Sequence, residues 1–378
     1  MTFSKQTLLK NARRIVIKVG SNVLTLSDGN LSSERIENLV LQIATLCTEH
    51  KKQVLLVSSG AVAAGMGKLS IKSRPKSLPD IQALAAVGQT LLIERYRSAF
   101  NKRGVEIGQV LVTQEDFQNR NRFLNISNTF SALLRQKIVS VINENDTVAT
   151  HEITFGDNDQ LCVLVSHAVH ADLVIILTSA DGLLDYENQG EVIPNVEKMD
   201  KKIFTKISES KTSLGLGGMK SKIQAISQLM DNGTPVILAN GKKDFVITDF
   251  LEGKEHGTLF HVSESRLKKK KTWIAYLGKT QGEVQIDSGA ANALISKNSS
   301  LLAIGIKEVS GHFLKGALIR ILHEKTEVGR GLTNYSADEI RRIKGFKSSE
   351  LSKILGKILY EEVIHKDNFV KAKGHSPC

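Results

Sequence analysis

Short apolar runs alternate with longer segments of helical periodicity over the first two thirds of the chain. Five runs rich in valine, isoleucine and leucine predict buried strands: Arg14–Val19, Gln53–Ser58, residues 108–113, residues 138–143 and Leu173–Thr178. Residues 33–50 and 79–102 carry apolar side chains at spacings of three and four, which predicts helices. The alternation predicts a mainly parallel sheet covered by helices on both faces, an α/β three-layer sandwich.

Small and polar residues collect where these strands end. Gly20, Ser59, Asp146 and Asp181 lie just after the first, second, fourth and fifth strands. In parallel sheets of this kind, ligands bind beyond the carboxyl ends of the strands. This edge is therefore the predicted site of chemistry.

The pattern changes after a polar, lysine-rich stretch near residues 257–271. Beyond it come short strands with glycine turns, and one short helix near residues 290–296. We predict a first domain over residues 1–262, a linker over 263–272, a small and mostly β domain over 273–365, and a mobile tail over 366–378.

Composition narrows the functional classes. The 378 residues are 41% apolar and 24% charged, as in a globular protein, and the formal charge is +12. Basic residues are weakly clustered, with residues 268–271 the densest run, and aromatics are 5%, which favours a solvated surface over an RNA interface. The absence of a long apolar run and of a signal peptide predicts a cytoplasmic protein without membrane contact. Three widely spaced cysteines indicate neither a zinc site nor disulfides.

Two glycine-containing segments carry lysines. Lys18 ends the first strand before the turn at Gly20, although a lysine before an ordinary turn has the same pattern. Residues 215–222, GLGGMKSK, precede a helical pattern over 223–230, and a lysine at a helix start is favourable only when an anion is near. A plain glycine-rich loop is the alternative, and neither segment matches the P-loop spacing.

Two further loops concentrate carboxylates and amides. Residues 143–146 read Asn-Glu-Asn-Asp and residues 156–159 read Gly-Asp-Asn-Asp. Turn chemistry alone explains either loop. Together on one predicted edge, they also suit the binding of an ammonium group and the orientation of catalytic lysines.

The ordered set of motifs resembles the glutamate 5-kinases of the amino-acid kinase family. The main motifs are IVIKVGSNVLT, LLVSSGAVAAG, VINENDTVA, FGDNDQL and GLGGMKSK. AVGQ at residues 86–89, RFLN at 122–125 and GTLF at 257–260 add to the resemblance, and GEVQIDSGA and DEIRRIKG resemble a PUA domain. The resemblance spans nearly the whole chain.

The resemblance implies ATP-dependent phosphorylation of the side-chain carboxylate of L-glutamate, with Mg²⁺, as the first step of proline biosynthesis. It assigns Lys18, Lys222 and Asp157 to catalysis, with Asp157 holding the lysines. Substrate binding falls to Ser59, Asp146 and Asn158. Nucleotide binding falls to Lys18, Thr178, Ser179, Gly217, Gly218, Met219, Lys220, Ser221 and Lys222. Ser179 departs from the aspartate common in the family.

The same resemblance implies proline as a feedback inhibitor, glutamyl phosphate reductase as a functional partner, and a homo-oligomer. Kinases of acetylglutamate, aspartate or carbamate are the nearest alternatives. Asp146 and Asn158 disfavour an N-acetylated substrate, because it has no ammonium to pair with a carboxylate. An RNA-binding role through the PUA-like domain is the alternative from another class, and it is disfavoured by the weak basic and aromatic character there.

Overall fold

The computed structural model describes residues 4–26, 29–149, 157–185, 190–199, 216–261, 280–297, 299–356 and 360–372. The chain divides into two compact units, one of residues 1–114 and 126–268, the other of residues 115–125 and 269–378. The sequence analysis placed residues 115–125 with the first domain. Among the described residues, no helix is long and apolar enough to cross a membrane.

Ten helices and ten strands are described up to residue 261. The helices are α1 (Lys5–Asn11), α2 (Ser21–Leu24), α3 (Ser33–Thr48), α4 (Ala61–Lys68), α5 (Leu78–Asn101), α6 (Gln114–Gln118), α7 (Arg120–Arg135), α8 (Asp157–Ala168), α9 (Leu216–Asp231) and α10 (Val246–Leu251). The strands are β1 (Arg14–Val19), β2 (Gln53–Ser58), β3 (Ile107–Val112), β4 (Val139–Glu144), β5 (Leu173–Thr178), β6 (Leu184–Asp185), β7 (Glu191–Val192), β8 (Asn195–Val196), β9 (Val236–Asn240) and β10 (Thr258–Phe260).

Eight of these strands form one sheet in the order β3-β4-β2-β1-β5-β9-β10-β8. Strands β3, β4, β2, β1, β5 and β9 are all parallel, and β10 runs antiparallel to β9. Val19 pairs with Ser58 on one side and with Leu177 on the other. The carboxyl ends of the central strands therefore meet at one edge of the sheet.

The predicted mainly parallel sheet is confirmed. Strands β1, β2 and β5 have the predicted bounds, and β3 and β4 differ from theirs by one residue. Residues 15–19, 54–58 and 173–178 are buried throughout, as expected where helices cover both faces of a sheet. Burial on both faces makes the apolar runs continuous, and such runs are readable from sequence.

Helices α4 and α5 pack unusually closely, because two glycines lie at their crossing. A Cβ atom on Gly88 would be 1.7 Å from the Ala61 carbonyl oxygen, and one on Gly65 would be 2.1 Å from the Leu84 carbonyl oxygen. Only glycine allows such contact between the backbones. This crossing positions the middle of α5 relative to the start of α4, which follows the carboxyl end of β2.

The second unit contains a five-stranded sheet in the order β12-β11-β13-β14-β15. Its strands are β11 (Gly282–Ile286), β12 (Ile306–Gly311), β13 (Leu318–His323), β14 (Thr326–Leu332) and β15 (Phe369–Lys371), and its helices are α11 (Ser288–Ile295), α12 (Ala337–Ile343) and α13 (Leu351–Leu355). Ser336 and Glu339 form a capping box at the start of α12. This small, mostly β unit confirms the predicted class of the C-terminal region.

One boundary prediction in this unit is wrong. The sequence analysis assigned residues 366–378 to a mobile tail, but Phe369–Lys371 pairs with β14 as an edge strand, and Phe369 is buried. Three residues carry too little periodicity to predict a strand. Pairing with β14 and burial of one aromatic ring account for it. Residues 273–279, the start of the predicted second domain, lie outside the described residues.

Candidate active site

The carboxyl ends of β1, β2 and β5 are joined by backbone hydrogen bonds. The Gly20 N–H donates to the Leu177 carbonyl over 3.1 Å, and the Ser59 N–H donates to the Val19 carbonyl over 3.1 Å. Gly60 follows with a φ of 109°, in the left-handed region that favours glycine, and starts α4. These contacts hold Lys18 and Ser59 on adjacent strands at the same edge.

Two buried lysines share one buried carboxylate at this edge. Lys18 Nζ lies 2.6 Å from Asp159 Oδ1, and Lys222 Nζ lies 3.3 Å from Asp159 Oδ2. The Ser221 hydroxyl donates to the same Oδ2 over 3.1 Å. Strand β1, helix α8 and helix α9 each supply one charge, so the cluster depends on the tertiary fold.

All three charged side chains of this cluster are largely shielded from water. Side-chain exposure is 4% for Lys18, 14% for Lys222 and 1% for Asp159, so two cations face one anion with little water. Burial, followed by the charge of Lys18, lowers the pKa of Lys222, and Asp159 opposes that shift. Positive charge held where little water competes attracts an arriving anion strongly. The cluster is thus suited to binding a polyanion.

A second cluster, of amides and a hydroxyl, lies beside the first. Asn158 Nδ2 is 3.0 Å from Ser59 Oγ, 3.0 Å from Asn143 Oδ1 and 3.3 Å from the Ser58 carbonyl oxygen. Asn158 directly precedes Asp159 in the first turn of α8. The two clusters are therefore adjacent along one helix.

Asp146 lies in the turn directly after β4 and is buried. Helix α5 contacts both ends of this segment: Gln89 Oε1 accepts from Asn143 Nδ2 over 2.7 Å, and Gln82 Nε2 donates to the Ala149 carbonyl over 3.1 Å. The structure thus places two amides and a hydroxyl beside Asp159, and the buried Asp146 follows Asn143 by three residues in the same segment.

Comparison with known proteins agrees with this arrangement. Residues 13–240 match the amino acid kinase family, and residues 282–355 match the PUA domain. A protein from Thermoanaerobacter sp. (strain X514) is 44% identical over 362 residues, 94% of this chain and 97% of its own length. One from Syntrophus aciditrophicus (strain SB) is 43% identical over 373 residues, 97% of this chain and 96% of its own. Both are named glutamate 5-kinase.

The chain belongs to the amino acid kinase family, among the glutamate 5-kinases. Its membership makes it a phosphotransferase that uses ATP. Among solved structures, UMP kinase from Ureaplasma parvum is similar at a TM-score of 0.45 and 15% identity, over 66% of this chain and 97% of that one. That likeness is too distant to bear on function.

In this amino acid kinase, residues 216–222 belong to a helix, whereas the sequence analysis predicted that they precede it. Helix α9 begins at Leu216, so Gly217 and Gly218 lie in its first turn and Lys222 in its second. The sequence analysis placed these residues before the helix, because glycine is a poor helix former. Lys220 is exposed whereas Lys222 is mostly buried, and Met219 and Ser221 are half-buried. Lys222 alone of the two lysines reaches Asp159 in the described contacts.

The end of β5 forms the other side of the edge. Thr178 is buried and Ser179 is exposed. Asp181, which the sequence analysis placed at this edge, lies close to two residues that it passed over. Asp181 Oδ1 is 3.1 Å from Asn240 Nδ2 and 2.6 Å from Lys243 Nζ. The Lys243 and Asn240 contacts lower the pKa of Asp181. These contacts connect the loops that follow β5 and β9.

Sequence reasoning singled out the loop of residues 156–159 but gave Asp159 no role of its own. It assigned the lysine-holding role to Asp157, whose side chain lies outside the described residues, so that assignment stays a prediction. The carboxylate that the structure places between the lysines is Asp159. A signal was present, because Cys162, Val163 and Ser166 are buried and lie three, four and seven residues after Asp159 on one helical face.

The described residues contain no group of three or more His, Cys, Asp or Glu side chains that could hold a metal. Both oxygens of Asp159 already contact lysines or Ser221. This donor set does not fit a Mg²⁺ ion held by the protein alone, and we assign no step to such an ion. Mg²⁺ commonly binds through substrate phosphates.

Proposed function

We propose that this chain transfers the γ-phosphoryl group of ATP to the side-chain carboxylate of L-glutamate, giving L-glutamyl 5-phosphate. The observation that carries the proposal is the buried pair of lysines on Asp159, directly beside the polar cluster of Asn158 and Ser59. One cluster suits phosphates and the other suits an amino acid. Their adjacency is what a transfer between the two substrates requires.

The nucleophile needs no general base, since a carboxylate is ionised at neutral pH. The obstacle is repulsion between that carboxylate and the phosphates. Lys18 and Lys222 carry positive charge where little water competes, and Asp159 holds both ammonium groups before the substrates arrive. Preorganised charge of this kind stabilises the in-line transition state of phosphoryl transfer.

Ser59, Asp146 and Asn158 would bind glutamate. Asp146 supplies an anion for the substrate ammonium, and Ser59 and Asn158 supply neutral polar atoms. An N-acetylated amino acid has no ammonium, and binding it would leave the buried Asp146 carboxylate without that partner. The polar cluster therefore favours a free amino acid.

ATP would bind across the ends of β5 and β9 and the start of α9. Thr178, Ser179, Gly217, Gly218, Met219, Lys220 and Ser221 would contact the nucleotide, together with Lys18 and Lys222. The N-terminal end of a helix attracts phosphates through its free N–H groups and its dipole. Mg²⁺ would enter bound to the phosphates and offset part of their charge.

The product is an acyl phosphate, which hydrolyses readily in water. An enzyme that reduces it promptly, glutamyl phosphate reductase, is the expected functional partner in proline biosynthesis. Proline as a feedback inhibitor and a homo-oligomeric state are part of the same proposal and are supported by the family resemblance alone.

Trapping the product tests the reaction. The protein is incubated with ATP, Mg²⁺ and hydroxylamine, and separately with L-glutamate, N-acetylglutamate or L-aspartate, and hydroxamate is measured. We expect L-glutamate to be strongly preferred. Equal hydroxamate from N-acetylglutamate would contradict the substrate assignment, and no hydroxamate from any acid would contradict the reaction.

A further inference from the structure

Gln89, on helix α5, contacts the amide cluster but none of the lysines in the described contacts. Its Oε1 accepts from Asn143 Nδ2 over 2.7 Å, and Asn143 Oδ1 in turn accepts from Asn158 Nδ2 over 3.0 Å. A chain of amides thus runs from α5 through the end of β4 to the substrate-facing turn of α8. Resting on the proposed function, we propose that Gln89 is a positioning residue that sets the orientation of the Asn158 amide for recognition of the substrate ammonium.

The direction of this chain is set by two backbone groups. The Glu144 N–H donates to Asn143 Oδ1 over 2.9 Å, so the oxygen of Asn143 must face that N–H and its nitrogen must face Gln89. The Ser58 carbonyl can only accept, so Asn158 must present its nitrogen there. If either amide were rotated by 180°, a donor would face a donor or an acceptor would face an acceptor.

This orientation leaves one atom of Asn158 available. Its Nδ2 has two hydrogens and already faces three acceptors, on Ser58, Ser59 and Asn143. Its Oδ1 is buried and has no hydrogen-bond partner in the part of the chain that the structure describes. A buried acceptor without a partner is costly, and a donor brought by the substrate satisfies it. The ammonium is the only N–H donor on glutamate.

Helix α5 is well placed to control this orientation. Gly88, directly before Gln89, lies at the close crossing with α4, where a Cβ atom would be 1.7 Å from the Ala61 carbonyl oxygen. The crossing fixes α5 against the helix that begins just after Ser59. Gln82, two turns earlier on the same face, bonds the Ala149 carbonyl on the far side of Asp146. In the AVGQ motif at residues 86–89, the glycine thus allows the close approach of α5 to α4. The glutamine fixes the orientation of the Asn143 amide and, through it, that of Asn158.

The test is a change of substrate selectivity in Gln89→Met, which keeps the length of the side chain and removes the acceptor. Hydroxamate formation is measured with L-glutamate and with glutarate, which has both carboxylates but no ammonium, as substrate or as competing inhibitor. We expect the preference for L-glutamate over glutarate to fall about tenfold, the size of one neutral hydrogen bond. The loss should fall on KM for L-glutamate, with KM for ATP within about twofold of the wild type.

Two variants complete the design. Gln89→Glu keeps an acceptor toward Asn143 and should restore most of the preference. Thr90→Val changes the next residue, which is exposed and whose hydroxyl bonds the Val87 carbonyl within the helix, and should behave as the wild type. Selectivity is the ratio of the rates for two substrates measured on one preparation. Partial unfolding of a variant lowers both rates equally and therefore leaves this ratio unchanged. Gln89→Ser replaces Gln89→Met if the latter is insoluble.

The outcomes separate the inference from the proposed function. An unchanged preference in Gln89→Met, or an equal loss for both acids, overturns the positioning role and leaves Gln89 a structural residue. A matching rise in KM for ATP overturns it as well. An inactive wild-type protein overturns the proposed function first and the inference with it.

Discussion

Replacing Lys222 by methionine removes one charge from the buried cluster and keeps most of the side-chain volume. Lys222 is 14% exposed, lies 3.3 Å from Asp159 Oδ2, and shares that carboxylate with Lys18, which is held at 2.6 Å. The remaining Lys18 and Asp159 form a balanced and short ion pair. The variant therefore removes the charge that we propose acts in catalysis and keeps the ion pair between Lys18 and Asp159.

Two opposite effects follow from this geometry. Loss of a preorganised charged donor at the transferring phosphoryl group costs about 3 kcal/mol, which lowers kcat by roughly a hundredfold or more. The free energy of unfolding, by contrast, should rise or stay the same. Since burial and Lys18 lower the pKa of Lys222, its charged form is disfavoured in the fold, and removing it should leave the free energy of unfolding equal or slightly raised.

The assay combines hydroxamate formation at saturating L-glutamate and ATP with thermal unfolding in the absence of ligands. Lys220→Met is the matched control, because Lys220 lies two residues earlier on the same helix and is exposed. We expect the control to keep kcat within about threefold, because the exposed Lys220 is proposed to contact the bound nucleotide, and loss of such a contact changes KM for ATP rather than kcat. A near-normal kcat in Lys222→Met with only KM for ATP raised would refute the catalytic role. A clear drop in melting temperature would refute the expectation that burial disfavours the charged form of Lys222 in the fold.

Two further predictions concern buried charge. In Asp159→Asn, Lys18 and Lys222 lose the buried carboxylate that they share, so we expect the free energy of unfolding at pH 7 to fall by about 3 kcal/mol and kcat to fall with it. In urea unfolding this loss should shrink toward pH 9.5, since the pKa of Lys222 is lowered and its neutral form ends the repulsion; a constant loss would contradict the account. Burial lowers the pKa of His167 to about 4, while Asn232 lies 2.9 Å from its Nε2. The unfolded chain therefore binds the extra proton between about pH 6.5 and 4, and stability should fall over that range by at most about 3 kcal/mol. His167→Gln should flatten that pH dependence, and an unaltered slope in urea titrations would show that another group is responsible.

The strands and the polar edge were predictable because their signals are local. Strands β1, β2 and β5 are buried on both faces, so each appears as an uninterrupted apolar run with polar residues at its end. Parallel strands place those ends at one edge of the sheet, which is why Lys18 and Ser59 could be assigned to a common site from the sequence.

Tertiary structure decided which side chains meet at that edge. Asp159 contacts the lysines because α8 begins at Asp157 and position 159 lies on its buried face. If that face were shifted by two residues along the helix, a different carboxylate would face the lysines. Lys222 reaches Asp159 from the second turn of α9. The start of this helix at Leu216 was not predicted, because two glycines lie in its first turn.

The sequence by itself determined the order of strands and helices along the chain, the motifs, and the edge that carries the candidate site, because these depend on residues near one another in the chain. Gln89 and Asn143 are 54 positions apart, and β15 exists only by pairing with β14. Such contacts form between elements whose separation, phase and crossing are set by packing, as at Gly88 and Ala61. Packing of distant elements has no local signature, and for this reason only the folded chain decided them.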